Sequence, residues 1–374
     1  MQFRSVLRSK PVAPKPDVRR RPLQQGEDMT RPQLSPPPLD VAAAAGPNTI
    51  TAAPSAAPHR RGRWMGRRIA RLVLLLAALI AVSVGANAIF TVRDGLAQPY
   101  GHLVTLPGGA VNTAISGTGE ETFVIMPGYG AASPVLEFAP LVDNLDDHAT
   151  VVVVEPFGYG YSDRRTDADR TLENMSTELH QTLTALHVHQ PYTLVAHSIG
   201  ALYALDYVNR FPNEVRAVVT IDGSVAIDAV ASEAQQSRWL RLWTLSGVTR
   251  WVSMAKPTLF VQAPRDTYSE SALRQMRTLM LRNDSTPALV EESHRMGQNV
   301  NAAKGLSFPA ELPVLAFVAQ DTIDILPEWY PAHQEQLQGL VRSKLIVIDD
   351  SHYLHYHHSP EIANAVRAFL DAPA

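Results

Sequence analysis

The chain has 374 residues, no cysteine and a formal net charge of −3 at pH 7, so disulfides, thiolate metal sites and cysteine nucleophiles are excluded. Residues 1–71 contain 14 Lys/Arg and 4 Asp/Glu, which leaves 19 of the 33 Lys/Arg and 32 of the 36 Asp/Glu for residues 72–374. Because the basic residues are concentrated near the N-terminus, the remainder is acidic, and nucleic acid is not expected as its partner.

Residues 1–65 are rich in proline, arginine and alanine, with eleven prolines before residue 63 and no apolar periodicity. A segment of this composition buries too little apolar surface to offset the entropy that it would lose on ordering. We therefore predict that residues 1–65 form a disordered tail.

An apolar segment follows at residues 69–92, in which Arg71 is the only charged residue. As a helix rising 1.5 Å per residue, this segment is long enough to cross a hydrocarbon core of about 30 Å. Six arginines lie within residues 60–71 and only Arg93 closely follows the segment, so the positive-inside rule places the tail in the cytoplasm. We predict a single-pass cell-membrane protein that contacts the lipid bilayer through residues 69–92. A linker at residues 93–101 then leads to an extracytoplasmic domain at residues 102–374.

Two other interpretations of the apolar segment stay open. It could be a buried helix of a soluble domain, although it is apolar all round and follows a tail without periodicity. It could also be a signal peptide cleaved after Ala88, since Ala86-Asn87-Ala88 resembles a cleavage site. The region before it is much longer than the basic region of a signal peptide, and this favours an uncleaved helix.

Short apolar runs alternate with helix-like segments in most of residues 102–374. The first two runs are separated by Pro107-Gly108-Gly109, which predicts a hairpin. The later runs are continuously apolar, as is typical of buried parallel strands, and helical patterns separate them. This alternation predicts βαβ units and an α/β fold with a mostly parallel sheet flanked by helices. The predicted strands are 102–106, 111–116, 122–126, 150–154, 192–195, 215–221, 313–318 and 344–348.

The strand pattern is interrupted over residues 224–306, where helical patterns occur without a convincing strand. We predict that this segment is a helical cap inserted over the C-terminal edge of the sheet. Trp239, Trp243 and Trp251 lie in it within thirteen positions. Each tryptophan alone is most simply a core residue. Together they predict an apolar wall over a binding site, with Trp239 and Trp243 in contact with the substrate.

The segment Ala196-His197-Ser198-Ile199-Gly200 lies between an apolar run and a helical pattern. A strand, an abrupt turn with a serine at its tip and a helix form the context of a G-x-S-x-G nucleophile elbow. Ala196 replaces the first glycine of that pattern. A motif this short also occurs by chance, so its interpretation depends on the partners that the rest of the chain offers.

Candidate partners for Ser198 follow later predicted strands, and ligands of parallel sheets bind at these carboxyl ends. To attack a carbonyl, Ser198 needs a base of near-neutral pKa, which His352 can supply, and a carboxylate to orient that base, which Asp321 can supply. Asp324 competes with Asp321 for the last role. Asp222 also follows a strand but ranks behind both as the acid partner, and we expect it to cap the next segment or to line the site.

The negative oxygen of a tetrahedral intermediate needs hydrogen-bond donors. We expect one donor to be the backbone N–H of Ile199, directly after the serine. The second is expected from the turn at Gly128-Tyr129, where Tyr129 supplies the N–H and Gly128 contacts the substrate.

Three more histidines, His355, His357 and His358, lie in the same segment as His352. No carboxylate–histidine spacing elsewhere in the chain supports a metal site with them. We interpret them as residues of a surface loop, and we predict neither a metal nor another cofactor.

From about residue 102 to residue 370 the chain resembles the α/β-hydrolase superfamily. The resemblance rests on Pro127-Gly128-Tyr129-Gly130 as the oxyanion turn, on the glycine-rich loop at residues 155–163, on the elbow, and on Ser351-His352 before a final helix. These motifs occur in the family's order. The chain departs from the family at Pro127, Glu155 and Ser351, where histidine, aspartate and glycine are common, and none of these departures removes a catalytic group.

This resemblance implies the α/β-hydrolase fold and a serine hydrolase that cleaves ester or related acyl bonds through an acyl-enzyme on Ser198. The expected partner is a small-molecule ester or acyl substrate with an apolar moiety. An aspartate at the elbow would have indicated epoxide hydrolase or dehalogenase chemistry, so the serine argues against both. Two alternatives stay open: acyl transfer to an alcohol or amine by the same residues, and a hydrolase-fold binding protein without activity.

Overall fold

The computed structural model describes residues 61–94, 99–165, 167, 169–228, 246–256, 261–283 and 286–372. The predictions for most of the tail, and those for Trp239 and Trp243, lie outside these residues. By its internal contacts the chain divides into two units, at residues 1–75 and 76–374. The described part of the first unit belongs to a single helix, which continues into the second.

This N-terminal helix, α1, extends over Arg61–Asp94. Its apolar span, Arg67–Phe90, has 24 residues, and an 18-residue window within that span has a mean hydropathy of 2.5 and contains no fully buried residue. At 1.5 Å per residue the span is about 36 Å long, which exceeds the thickness of a hydrocarbon core. The described residues therefore contain one helix that is long and apolar enough to cross a membrane, as the sequence predicts.

An eight-stranded sheet in the order β1-β2-β4-β3-β5-β6-β7-β8 forms the centre of the second unit. β2 is antiparallel to both β1 and β4, and every other pairing is parallel. The predicted hairpin and the predicted mostly parallel sheet are therefore confirmed. The strands are β1 (His102–Leu106), β2 (Gly109–Ser116), β3 (Glu121–Met126), β4 (Ala149–Glu155), β5 (Tyr192–His197), β6 (Val215–Ile221), β7 (Val314–Ala319) and β8 (Ser343–Ile348).

Helices cover both faces of this sheet. One face packs against α4 (Leu172–Ala185) and α5 (Gly200–Arg210), through residues such as Leu179 and Leu205. The other packs against α3 (Ala139–Leu145) and α11 (Ser359–Asp371), through residues such as Leu141 and Val366. Each aliphatic side chain buried in this way stabilises the fold by about 1.5–3 kcal/mol. The remaining helices are α2 (Pro134–Glu137), α6 (Val248–Ala255), α7 (Glu270–Asn283), α8 (Pro287–Ala303), α9 (Gln320–Ile325) and α10 (Trp329–Gln336).

Between β3 and β4, where the sequence predicts helical structure, two helices, α2 and α3, meet at Phe138. Each begins with a proline in its first turn, where the missing N–H costs nothing. Between residues 224 and 306, the described residues form the helices α6, α7 and α8 and contain no strand. This pattern agrees with the predicted helical insertion between β6 and β7.

Candidate active site

The elbow at Ser198 is a tight turn between β5 and α5. Ser198 has φ +54°, a left-handed conformation that is costly for a residue with a side chain. Hydrogen bonds hold the turn in place: the Ser198 N–H donates to the Ile221 carbonyl at 3.3 Å, and the Ser224 N–H donates to the Ser198 carbonyl at 2.7 Å. The strand–turn–helix context that the motif predicts is therefore present, with Ser198 partly exposed at its tip.

Two glycines allow the backbone segments around Ser198 to approach closely. A Cβ atom on Gly200 would lie 2.7 Å from the Pro127 carbonyl oxygen, and one on Gly128 would lie 2.8 Å from the Ser198 Cβ. Ala196 is fully buried in β5, so the strand accommodates its extra methyl group at the position of the motif's first glycine. The turn at Gly128-Tyr129 is thus in direct contact with the elbow.

His352 lies in the loop after β8, and its carboxylate partner is Asp222. The distance from His352 Nδ1 to Asp222 Oδ2 is 2.6 Å. The Asp222 carboxylate is fully buried and also accepts hydrogen bonds from Thr322 Oγ1 at 2.6 Å, from the Ala319 N–H at 3.0 Å and from Trp329 Nε1 at 2.9 Å. Burial acts to raise the pKa of Asp222, but these hydrogen bonds and the charge of His352 outweigh it and lower that pKa below its usual value.

The expectation that Asp321 orients the histidine is wrong for this geometry. Asp321 lies in the first turn of α9 with an exposed side chain, and its backbone N–H donates to the Asp350 carbonyl at 3.2 Å. The competing Asp324 is exposed as well and accepts a hydrogen bond from Gln320 Nε2 at 2.7 Å. β7 turns directly into α9, so both carboxylates lie on a surface helix, where an acidic first turn complements the helix dipole.

The serine and the histidine segments meet through His197, the residue before Ser198. The ring centres of His197 and His352 are 4.7 Å apart, and His197 Nε2 lies 3.2 Å from the His352 carbonyl oxygen. Burial and the neighbouring His352 lower the pKa of His197 to about 3, so this ring is neutral at physiological pH. A neutral ring packed behind the elbow can therefore hold His352 in place without adding a competing charge.

The predicted oxyanion donors belong to the two segments that contact each other at the elbow. Ile199 is the residue before the first turn of α5. Backbone N–H groups at this end of a helix lack intrahelical acceptors and form the positive end of the helix dipole. The turn that contains Tyr129 is held from two sides. The Gly130 N–H donates to Tyr159 Oη at 3.3 Å, and Tyr129 Oη donates to the Leu289 carbonyl of α8 at 3.3 Å.

Glu292 of α8 connects the helical insertion with the sheet domain. Its buried carboxylate accepts hydrogen bonds from Tyr159 Oη at 2.8 Å and from Tyr203 Oη at 2.9 Å. Tyr203 belongs to α5, the helix that follows the elbow, and Tyr159 supports the turn at Gly128-Tyr129 by accepting a hydrogen bond from Gly130. Burial raises the pKa of Glu292, although the Arg170 charge opposes this effect. No sequence motif indicates the role of Glu292, because its partners are far from it in sequence.

Glu155, where the family commonly has aspartate, is a buried support for the glycine-rich loop. Its carboxylate accepts hydrogen bonds from Tyr100 Oη at 2.7 Å, from Asn112 Nδ2 at 2.9 Å and from the Tyr161 N–H at 2.9 Å. A Cβ atom on Gly160 would overlap this carboxylate. The longer glutamate side chain and the glycine therefore fit together, and both have structural roles.

The other histidines near His352 are not arranged as a metal site. His357 and His358 pair with Asp350 at 2.9 Å and 3.2 Å. The expectation that His355 lies on a surface loop is wrong, because its side chain is fully buried and its ring stacks on that of Phe138, with the ring centres 4.2 Å apart. Within the described ranges, no group of three or more His, Asp or Glu side chains could hold a metal ion.

Trp251 does not form the predicted wall over the site. It lies on α6 with 44% of its surface exposed, and its Nε1 donates to Ser83 Oγ of α1 at 2.8 Å. Its ring therefore packs beside the apolar N-terminal helix. The proposed substrate contacts of Trp239 and Trp243 stay predictions.

Comparisons with known proteins agree with this architecture. The family model described as "alpha/beta hydrolase fold" matches residues 121–268. The chain is 29% identical over 154 residues to "Uncharacterized protein YbdG" of Bacillus subtilis, covering 41% of this chain and 46% of that protein. It is 26% identical over 210 residues to "Putative carbamate hydrolase RutD" of Pantoea ananatis, covering 56% of this chain and 73% of that protein. A Vigna radiata epoxide hydrolase mutant has a similar structure, with a TM-score of 0.60 at 14% identity over 72% of this chain and 98% of that chain.

The chain has the α/β-hydrolase fold. The family model supports a relationship to the α/β-hydrolase superfamily over the residues that it matches, and the solved structure supports the fold. The chain covers 46%, 38% and 51% of the length of three of the curated relatives that it matches.

Proposed function

We propose that this protein is a serine hydrolase that cleaves esters or related acyl bonds through an acyl-enzyme on Ser198. In this proposal His352 is the general base and acid, and Asp222 replaces Asp321 as the residue that orients it. The observation that supports the proposal most strongly is the strained elbow at Ser198 beside a histidine whose Nδ1 is 2.6 Å from a buried carboxylate.

Acylation would begin when His352 Nε2 takes the Ser198 hydroxyl proton as Ser198 Oγ attacks the substrate carbonyl. The positive charge that develops on the imidazole would be stabilised by Asp222, which accepts the Nδ1–H. The N–H groups of Ile199 and Tyr129 would donate to the tetrahedral oxygen, whose charge develops only as the bond forms. His352 would then return the proton to the departing alcohol, leaving the acyl group on Ser198.

Deacylation repeats these steps with water as the nucleophile. His352 takes a proton from water, the hydroxide attacks the acyl carbonyl, and the proton returns to Ser198 Oγ. The residue at the elbow favours this chemistry over that of the epoxide hydrolase among the similar structures. The acyl ester on a serine is hydrolysed to release a carboxylic acid. Epoxide opening by an elbow residue instead needs a carboxylate nucleophile at that position.

We further propose that α1 fixes the enzyme in the cell membrane, with its N-terminus in the cytoplasm and the catalytic domain outside. The length, hydropathy and exposure of Arg67–Phe90 support this proposal, as does the arginine cluster that precedes the span. A substrate with an apolar moiety is consistent with this position, because such molecules concentrate at a membrane surface.

The test is turnover of a panel of p-nitrophenyl esters with short, medium and long acyl chains by the full chain in detergent micelles. We expect hydrolysis by the wild type and its loss in Ser198→Ala, by about 10⁴-fold or more. Ser271→Ala is the matched control, because Ser271 is an exposed serine on α7 and its loss should leave turnover unchanged. Equal turnover by Ser198→Ala and the wild type would refute the proposal.

A further inference from the structure

One face of α1 near its C-terminal end differs from the rest of the helix. Ser83, Ala86 and Asn87 are half-buried, whereas Val82, Val84 and the other residues around them are exposed. The three residues follow the spacing of one helix face. A polar, partly covered face within an apolar span indicates a helix–helix contact.

The helix that covers this face is α6, from the insertion between β6 and β7. Ser83 Oγ donates to the Ser246 carbonyl at 2.6 Å, and Arg250 Nε donates to Asn87 Oδ1 at 2.8 Å. The backbones approach closely, because a Cβ atom on Gly247 would lie 3.1 Å from the Ser83 carbonyl oxygen. Small and polar residues at a close crossing are typical of helix pairs within membranes.

The pattern of burial on α6 is the reverse of that expected for a helix on a soluble protein. Its buried side chains include the polar residues Thr249, Arg250 and Ser253. Its apolar residues Trp251, Val252 and Met254 are 44%, 38% and 62% exposed. A surface helix in water turns its apolar stripe towards the core. Exposure of the apolar stripe instead indicates that it faces hydrocarbon.

From these contacts we infer that α6 lies in the extracytoplasmic leaflet of the bilayer, against α1, with Trp251, Val252 and Met254 in contact with lipid. The inference rests on the proposal that α1 spans the membrane. Ser83 and Phe90 are about 10 Å apart along the helix at 1.5 Å per residue. This length matches the depth of about 5–10 Å to which interfacial amphipathic helices insert.

The side chains of α6 fit such a position. The guanidinium of Arg250 lies 5.5 Å from the centre of the Phe90 ring, at the end of the apolar span nearest the linker. A charge there is close to the lipid headgroups, and tryptophan is enriched at the same level. The α1–α6 pair therefore attaches the insertion, as well as the N-terminus, to the membrane.

The α1–α6 contact can be tested by disulfide formation, because the natural chain has no cysteine. We expect Ser83→Cys combined with Ser246→Cys to form an intramolecular disulfide under mild oxidation in native membranes. Val82→Cys combined with Ser246→Cys is the matched control, since Val82 is adjacent in sequence but exposed away from α6. Equal cross-linking of the two pairs, or none in either, would overturn the contact.

Lipid exposure can be tested with a fluorophore on single cysteines in nanodiscs of phosphatidylcholine and phosphatidylglycerol. Met254→Cys and Val252→Cys should be quenched by nitroxide acyl chains at least about twofold more strongly than Val341→Cys, an exposed site after α10, because α6 inserts into the acyl boundary. Two α6 positions are used so that one misfolded variant does not decide the result. Quenching no stronger at α6 than at residue 341 would overturn the inference.

Carbonate extraction of wild-type membranes separates the possible failures. If the protein stays in the membrane but the α6 cysteines are not quenched, the inference fails and the proposed membrane anchor stands. If carbonate releases the protein, the anchor and the inference both fail. Neither result affects the ester-hydrolysis test of Ser198.

Discussion

Replacement of Asp222 by asparagine should nearly abolish activity, whereas the same change at Asp321 should not. The Asp222 carboxylate accepts hydrogen bonds from Trp329 Nε1 and the Ala319 N–H on one oxygen, and contacts His352 and Thr322 with the other. In Asp222→Asn the remaining oxygen would keep the first pair of donors, and the amide NH₂ would face His352.

An amide that donates to His352 Nδ1 fixes the tautomer with its proton on Nε2. That nitrogen then has no lone pair to accept the Ser198 proton. Loss of the orienting carboxylate costs about 10⁴-fold in kcat in enzymes with this triad, or about 5.4 kcal/mol of transition-state stabilisation. The buried hydrogen bonds that are altered would cost about 1–3 kcal/mol of folding stability in addition.

Asp321→Asn is the matched control because it makes the same chemical change on an exposed side chain of α9. Its effect on stability should lie within about 0.5 kcal/mol, with turnover close to that of the wild type. Both variants are assayed with the ester that the wild type hydrolyses best, well below the melting temperature of each. Retained turnover in Asp222→Asn together with its loss in Asp321→Asn would refute the assignment.

Three further changes test the surroundings of the site. Gly128→Ala should lower turnover by about 10²-fold or more, because the added Cβ would lie 2.8 Å from the Ser198 Cβ and displace an oxyanion donor. Gly305→Ala is the control and should leave turnover unchanged, because the space around Gly305 is open. With a pKa of about 3 in the fold and about 6.5 unfolded, His197 contributes stability that is complete above pH 6.5 and is lost as the pH falls. Chemical denaturation should therefore show the wild type losing about 2 kcal/mol more than His197→Phe between pH 7 and pH 5, and equal losses would contradict this cause. Glu292→Ala should cost about 3 kcal/mol of folding stability, because two buried tyrosines lose their shared carboxyl acceptor. Glu291→Ala, which removes a surface ion pair, should shift the melting temperature little.

The strands and the elbow could be predicted because their signals are local. Continuous apolar runs indicate buried parallel strands, and all six residues of β5 are buried as expected. The small residues at Ala196 and Gly200 indicate a crowded turn, which the close approach of Gly200 to Pro127 explains. Each of these signals lies within a few residues of the feature that it predicts.

The carboxylate partner of His352 could not be chosen from the sequence. Asp222 and Asp321 follow the neighbouring strands β6 and β7, so their positions along the chain are equivalent. The difference lies in the side chains around each carboxylate. Thr322 and Trp329, which donate to Asp222, are about one hundred residues away in sequence. Only the fold brings these donors to the two oxygens of the Asp222 carboxylate.

The position of the helical insertion could not be predicted from the sequence either. The tryptophans predict apolar surface, but not what covers it. On α6 the polar residues Thr249 and Ser253 share a helix face, and the sequence alone does not indicate whether that face points to the protein or to solvent. The contact between Trp251 and Ser83 joins segments 168 residues apart, and only this contact shows which way the faces of α6 point.

The most direct test of the account is the site at which a fluorophosphonate probe modifies the full chain in membranes. Peptide mass spectrometry should find the adduct on Ser198, and labelling should be absent in Ser198→Ala and strongly slowed in Asp222→Asn. Ser271→Ala should label like the wild type. A wild-type protein that is folded but unlabelled, or an adduct that persists in Ser198→Ala, would contradict the claim that Ser198 is an activated nucleophile.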